Sequence, residues 1–473
     1  MSEPSTIAPS ATSVSERAAW WSLGVLTLVM LFAVLDRGVL TLQAETIRKA
    51  LNLSDFQLGF LQGTAVAVTV GIVSYPLGWL ADRYDRRLVL AGCIIFWSLA
   101  VVGSGMSQNY WQLVIGSALV GAGEAGLGPI TNSLIPDLFK PKRRQMANSI
   151  FAVSHTTVSA LGLGLTGAIV GAMYAVRPYL PESMAGIDDW RLAFFAVALP
   201  APLMVLLVLT IAARRRAKAD PSDPAVAVPD MVAAAADPVV VPELLPYLRQ
   251  HRQTFTYLIT GLMAVMLGFA SVNGWLAVIY QRVFMQTPQQ LGATLGAIGL
   301  AATAAGFLIS VYGLRYFSPR VGPRLNVRVL WISSLWAALS FTAMTFATQA
   351  WHMYTIHGVY VTLLIGATMI YPTVIQTVAP RLLRARLFAA LAVMISACGA
   401  AAPPIVGLIS DQLKHLPNGL ILSAAIVAAP CLAVGALLLF LCEEHYMKTK
   451  HAVELIDEEH SAIESTMTEP AKA

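Results

Sequence analysis

Three charged residues fall where an apolar chain carries few. Asp36 and Arg37 sit side by side in the stretch Trp20–Gln43, and Glu124 lies inside another, Trp111–Ile135. A charge near the centre of a bilayer costs about 2.5–3.5 kcal/mol by insertion scales, so such residues face a cavity and act there. Neighbours on a helix point about 100° apart, so Asp36 and Arg37 make a poor pair with each other, and Glu124 is the carboxylate open to Arg37. At 1.5 Å per residue from Trp21 and Trp111, Asp36 stands about 22 Å and Glu124 about 10 Å above the face holding the N-terminus. A direct contact then requires helix tilt, a long Arg reach or water. Burial favours a neutral carboxyl and a nearby guanidinium an ionised one, so a carboxyl between the two influences changes protonation when the Arg moves or a substrate arrives. That chemistry couples a proton gradient to a change of shape, with Glu124 first and Asp36 second as titrating groups and Arg37 as charge partner or anchor for a substrate anion. The plainer alternative is a static buried pair that fixes helix packing.

The elements that must position these groups are membrane spans. The 473 residues are 57% hydrophobic and 12% charged, against roughly 45–50% apolar and about 25% charged in soluble domains. A bilayer core needs about 20 apolar residues of helix, and that template fits the chain twelve times. The expected organisation is an N-terminal tail over 1–19, a six-helix bundle over 20–213, a Pro- and Asp-bearing linker over 214–252, a second six-helix bundle over 253–442, and an acidic tail over 443–473 read as solvated. The tail over 1–19 lacks the basic n-region, short apolar core and cleavage site of a signal peptide. The fold class expected is all-α, a polytopic membrane protein with twelve transmembrane helices in two pseudo-symmetric halves.

Placement of the basic residues sets an expected orientation. With the N-terminus cytoplasmic, 24 of the 31 Lys and Arg fall in loops, linker and tails on that side, six fall opposite, and Arg37 remains. The positive-inside rule thus favours both termini in the cytoplasm of a bacterial inner-membrane protein, and it accounts for the net charge of +5 without nucleic acid. Cys93, Cys398, Cys431 and Cys442 stand singly, with no metal-ligand spacing, so no metal or cofactor is expected. No HExxH or GxSxG occurs, which argues against an enzyme.

The loop after the second span reads Gly78, Trp79, Leu80, Ala81, Asp82, Arg83, Tyr84, Asp85, Arg86, Arg87. Its glycine, Asp-Arg and paired basic residues resemble the loop signature of the major facilitator superfamily, with Asp85 in place of the usual glycine. "LDRGVL" (Leu35–Leu40), "VGAGEAG" (Val120–Gly126) and "IPDLFKPKRRQMANSIF" (Ile135–Phe151) are similar to the Spinster-like branch. Ser117 stands where that branch commonly has an Arg, and His155 where a proline is usual.

The resemblance implies the major facilitator fold, and a secondary transporter whose halves rock about a central site. It implies proton coupling through Asp36, Arg37 and Glu124, a cytoplasmic gate loop built on Gly78, Asp82, Arg83, Arg86 and Arg87, and a small organic or amphiphilic, lysolipid-like substrate. A symporter for organic anions such as aromatic or sugar acids, with Arg37 on the carboxylate, is the alternative. The superfamily places Asn273, Trp275, Tyr280, His357, Tyr371 and Gln376 on spans that line its central cavity. The partners expected are the bilayer, the substrate and a proton, for a chain acting as a monomer. The glycines of span four (Gly116, Gly121, Gly123, Gly126, Gly128) and span five (Gly162, Gly164, Gly167, Gly171) are expected to serve close helix packing.

Overall fold

The computed structural model describes residues 15–181, 186–212, 244–380 and 383–468. The linker residues 214–243, with Arg214, Arg215, Arg216 and Lys218, lie outside the described residues, as do Arg381 and both chain ends. No strand occurs among the described residues. Twelve helices are long and apolar enough to cross a membrane: α1 (Glu16–Leu42), α2 (Asp55–Arg83), α3 (Arg86–Met106), α4 (Tyr110–Leu138), α5 (Met146–Tyr179), α6 (Asp189–Leu209), α7 (Arg252–Val283), α8 (Pro288–Val321), α9 (Arg324–Met344), α10 (Ala350–Val378), α11 (Arg386–Gln412) and α12 (Gly419–Glu458).

Capping residues mark where several begin. The Ser15 hydroxyl accepts from the Ala18 amide at the head of α1, and Asn109 accepts from the Gln112 amide at the head of α4. Ser54 with Gln57, and Thr287 with Gln290, form full capping boxes before α2 and α8. Each satisfies amides that a first turn leaves without intrahelical partners.

The first half closes over an apolar core in which Trp97 and Trp190 are fully buried among α1, α3 and α6; in the second, Trp275, Tyr280, Phe341 and Tyr360 fill a core that Leu42, Ala44 and Leu58 of the first half also enter. A short helix, Leu244–Gln250, enters the second half and is pinned by Tyr247, whose hydroxyl donates to the Val378 carbonyl at 2.9 Å. Residues 443–458 depart from the solvated tail expected of their acidic composition. They continue α12, held by i,i+4 pairs Glu444–Lys448 (2.8 Å) and Lys450–Glu454 (2.5 Å). Tyr446 and Val453, two turns apart on one face, are buried against the second half, and Arg328 and Arg384 bind Glu443 and Asp457 at 2.7 and 3.3 Å. The charge pattern is that of a solvated helix face, and the two apolar residues under it decide the docking.

The halves meet at the end of the bundle away from the chain termini, here called distal. Among the described residues, every hydrogen bond and ion pair between them lies in the distal half of the spans. Thr64 of α2 donates to the Ala400 carbonyl of α11 at 2.8 Å, and Gln281 of α7 donates to the Leu42 carbonyl at 2.8 Å. Glycines allow the backbones this close: a Cβ on Gly292 of α8 would stand 2.5 Å from the Gly167 Cα of α5, and one on Gly407 of α11 would stand 2.3 Å from the Asp55 carbonyl oxygen. Toward the proximal end no such contact occurs among the described residues, and a Cβ on Gly71 or Gly313 would meet nothing within 4 Å.

Candidate functional site

The α3–α4 contact sets the depth of Glu124. A Cβ on Gly116 would stand 2.3 Å from the Ser104 hydroxyl, and one on Gly123 would stand 2.5 Å from the Trp97 Cβ, so α4 lies directly on the α3 backbone. Helix α4 breaks immediately after Glu124, at Ala125 and Gly126, and resumes at Leu127. Both Arg37 Nε and Arg37 Nη2 reach Glu124 Oε2 at 2.5 Å. The contact is direct in spite of the roughly 12 Å offset in depth expected from residue counting. Side chains on a helix tilt toward its N-terminus; because α1 and α4 run in opposite directions, Arg37 leans proximally and Glu124 distally, each shortening the gap.

The two ends of this pair meet different surroundings. The Glu124 side chain is fully buried, whereas the Arg37 side chain is 60% exposed. Glu124 Oε1 and both carboxyl oxygens of Asp36 are buried without a hydrogen-bond partner. The Trp97 indole N–H stands near enough to Asp36 to interact with it, yet it makes no bond of normal geometry. Three carboxyl oxygens thus lie out of contact with water and without a hydrogen-bond partner, while the guanidinium is bonded to Glu124 Oε2. Thr41, one turn above Arg37 and bonded to its carbonyl at 3.1 Å, lines the cavity between the halves. Arg37 therefore faces the same cleft.

That cavity has a volume of about 360 Å³ and is walled by α1, α5, α7, α8 and α10. Asn273 and His357 line it. Trp275 and Tyr280, expected there, are instead fully buried in the second-half core. The break in α7 between Asn273 and Leu276 turns them away: Trp275 Nε1 donates to the Pro403 carbonyl at 3.0 Å, and Tyr280 stacks on Tyr354 with ring centroids 4.5 Å apart. Tyr371 is half-buried with its ring edge on Phe388, and Gln376 lines a separate proximal pocket with Arg384 and Asp457. Tyr360, absent from the sequence reading, joins two cavity residues: its hydroxyl meets His357 Nδ1 at 2.9 Å and donates to Asn273 Oδ1 at 3.0 Å.

In the loop after α2, Arg86 donates to the Ser133 carbonyl at 2.9 Å, pairs with Asp137 and lies 3.7 Å from Asp82. Arg87 pairs with Asp85 at 2.7 Å and donates to the Ile211 carbonyl at 3.2 Å. Arg83 stacks over Trp79 at 4.0 Å, and a Cβ on Gly78 would meet only Pro129, at 4.0 Å. Arg86 ties the loop to α4 and Arg87 ties it to the chain just past α6, both in its own half, while Arg83 stacks back on α2.

The distal seam carries a charged cluster that the sequence analysis did not single out. Arg282, at the end of α7, donates to both Asp55 oxygens at 2.8 Å and to Glu45 Oε2 at 2.9 and 3.3 Å. Arg48 binds the same Glu45 at 2.9 Å. Asp411, at the end of α11, accepts from the Asp55 and Phe56 amides at 2.9 Å each, and Ser410 donates to Asp55 at 2.6 Å. Burial works against the charge on Glu45, but hydrogen bonds and charge from Arg48 and Arg282 outweigh it and hold the carboxyl below its usual range.

Comparison with known proteins agrees with this architecture. An efflux pump of the MFS type from Mycolicibacterium smegmatis is 25% identical over 91% of this chain and 94% of its own. Protein spinster homolog 3 of Danio rerio is 32% identical over 44% of this chain and 39% of its own. The fold matches the crystal structure of a bacterial homolog of the human lysosomal transporter Spinster, in an inward-facing and unoccupied conformation. The TM-score is 0.69 at 20% identity, covering 94% of this chain and 99% of that one. The profile of the Major Facilitator Superfamily matches residues 26–382, and with twelve spans around one cleft the chain belongs to that superfamily of transporters.

Proposed function

We propose that this chain is a proton-coupled secondary transporter, moving a small organic or amphiphilic molecule by alternating access, with Glu124 and Asp36 carrying the proton and Arg37 switching between Glu124 and substrate. The observation that supports this most is the asymmetry of the pair: a buried carboxylate is neutralised by a guanidinium whose far side is open to the cleft. An anion entering the cleft competes for Arg37. Glu124 then loses its counter-charge in a poorly solvated site, and taking up a proton removes the cost of leaving it ionised. Release of the substrate returns Arg37 to Glu124 and expels the proton. With both termini cytoplasmic, as the basic loops favour, the distal seam is the outer gate and the conformation opens inward. The loop at Asp82, Arg83, Arg86 and Arg87 then belongs to the inner gate.

Similarity to Spinster proteins supports an amphiphilic cargo such as a lysolipid. The exposure of Arg37 on the cleft favours the second reading, an organic anion held through its carboxylate. Uptake into proteoliposomes with and without an imposed pH gradient tests the coupling. Gradient-driven uptake is expected in the native chain and is expected to vanish in Glu124→Gln, while equilibrium binding persists. Uptake indifferent to the gradient would defeat the proposal.

A further inference from the structure

The cavity between the halves presents an ordered pattern of hydrogen-bonding groups. Three hydroxyls on its wall already have their protons committed to their own helices: Thr41 to the Arg37 carbonyl at 3.1 Å, Ser159 to the His155 carbonyl at 2.8 Å and Thr303 to the Gly299 carbonyl at 2.7 Å. A hydroxyl has one proton, so each offers only lone pairs to the cavity. The chain through Tyr360 orders the rest. Having given its proton to Asn273 Oδ1, the Tyr360 hydroxyl accepts one from His357 Nδ1. This fixes the tautomer of the neutral imidazole with Nε2 as acceptor, and leaves the Asn273 NH₂ as the donor. The wall is therefore rich in acceptors, with the Asn273 amide and the Thr156 hydroxyl, which reaches its own helix only at 3.5 Å, as donors, between patches formed by Leu163, Leu276 and Val361.

Lone pairs gathered in this number call for a ligand with several O–H groups. The volume of about 360 Å³ lies near the lower end of the roughly 300–1,000 Å³ of small-molecule pockets, which suits a compact metabolite. Arg37 lies one helical turn, about 6 Å, below Thr41 on the same face and adds a positive charge at the open side. We propose that this cavity is the binding site for a compact polyhydroxylated acid, its hydroxyls donating to Thr41, Ser159, Thr303 and His357 and its carboxylate directed to Arg37. The assignment rests on the transport reading above and names what is carried. Tyr360 acts through Asn273 and His357, as a positioning residue.

Equilibrium calorimetry on the full chain in nanodiscs, at fixed pH and without a gradient, tests it with five probes: gluconate, galactonate, glucuronate, hexanoate and an oleoyl lysophosphatidylcholine. At least one sugar acid is expected to bind, and hexanoate, which keeps the charge and the length but lacks hydroxyls, at least tenfold more weakly. Asn273→Ala and Thr303→Val should each weaken the sugar acid about 3–10-fold, the worth of one ordinary hydrogen bond. Tyr360→Phe keeps the ring packed on Phe341, 4.7 Å away, so the melting temperature should hold while the preference for sugar acid over hexanoate narrows. Failure of all three sugar acids to bind overturns the assignment, as does lysolipid or hexanoate binding of equal strength, or unchanged sugar-acid affinity in both Asn273→Ala and Thr303→Val. Because no gradient is imposed, sugar-acid binding combined with gradient-independent uptake would remove the coupling reading and leave this one standing. Gradient-driven uptake of a lysolipid would do the reverse.

Discussion

Replacing Arg282 by Ala should release the distal seam. The guanidinium forks onto both oxygens of Asp55 and reaches Glu45, at distances from 2.8 to 3.3 Å. Side-chain exposure is 26% for Arg282 and 4% and 6% for the two acids, so the bridge is largely desolvated. Breaking a buried pair from one side costs about 3–5 kcal/mol when the remaining charge has nothing else. Here Arg48 stays on Glu45 at 2.9 Å and Ser410 on Asp55 at 2.6 Å, which compensates part of the loss. A hydrogen bond to a charged group is worth about 1.5–3 kcal/mol, and a net cost of about 2–3 kcal/mol follows. The bridge joins the two halves, so the cost falls on the distally closed state and spares any state in which they have parted there. The population ratio should move toward distal opening by about 30–150-fold, at 1.4 kcal/mol per decade. Electron–electron distances between spin labels at Gln108 and Lys414, exposed distal residues of opposite halves, would report it as a new long-distance component. An unchanged distribution in Arg282→Ala would show that the bridge is incidental and that the glycine seam alone closes this end.

The lock's own contribution to these distances, read in Glu124→Gln, should show no change between about pH 5 and pH 8: Glu45 is held below the ordinary carboxylate range, so its contribution is complete above that range and is lost only as pH falls through the depressed value. Gly292→Ala should lengthen the distances, because its Cβ would stand 2.5 Å from backbone that cannot yield, whereas Gly313→Ala, opening onto free space, should leave them alone. Val453→Asp should lower the melting temperature, by about 2–4 kcal/mol of lost burial and buried charge, since Val453 docks the extension of α12. Arg37→Ala should weaken acid binding and uncouple uptake together, measured by calorimetry and by gradient-driven flux.

What could be read from the residues divides along a physical line. Apolar runs long enough for a bilayer and the asymmetry of Lys and Arg are properties of single segments, and they carry the twelve spans directly. Asp36, Arg37 and Glu124 stood out for the same reason, as charges in the wrong solvent. Pairings between segments were less visible. Glu45, Asp55, Arg282 and Asp411 all sit at helix ends, where a charge is ordinary, and nothing in their local sequence says that four elements bring them together. Trp275 and Tyr280 were misplaced because a two-residue break at Gly274 rotates one stretch of α7 relative to the other, and helical periodicity does not survive such a break. Tyr360 resembles any other aromatic in an apolar span until its hydroxyl is seen between His357 and Asn273.

The distal lock and the Arg37–Glu124 pair are both ionic and both cross between helices, yet only one suits a proton. At the lock Glu45 and Asp55 each have more than one cationic or hydroxyl partner, so protonating either sacrifices several bonds at once, and the depressed Glu45 resists it throughout the neutral range. At the inner site Glu124 depends on a single guanidinium that also faces the cleft, and Asp36 has no bonded partner at all. A group with one removable counter-charge changes protonation when that charge is drawn away; a group held by several does not. On the proposed reading, the lock sets how firmly the distal end closes, and Glu124 sets when closure is coupled to a proton. If that division holds, Arg282→Ala should alter the rate and the conformational balance while retaining gradient-driven accumulation, and Glu124→Gln should abolish accumulation while leaving the label distances dependent on substrate. Loss of accumulation in Arg282→Ala with binding intact would place the coupling at the distal end and refute it.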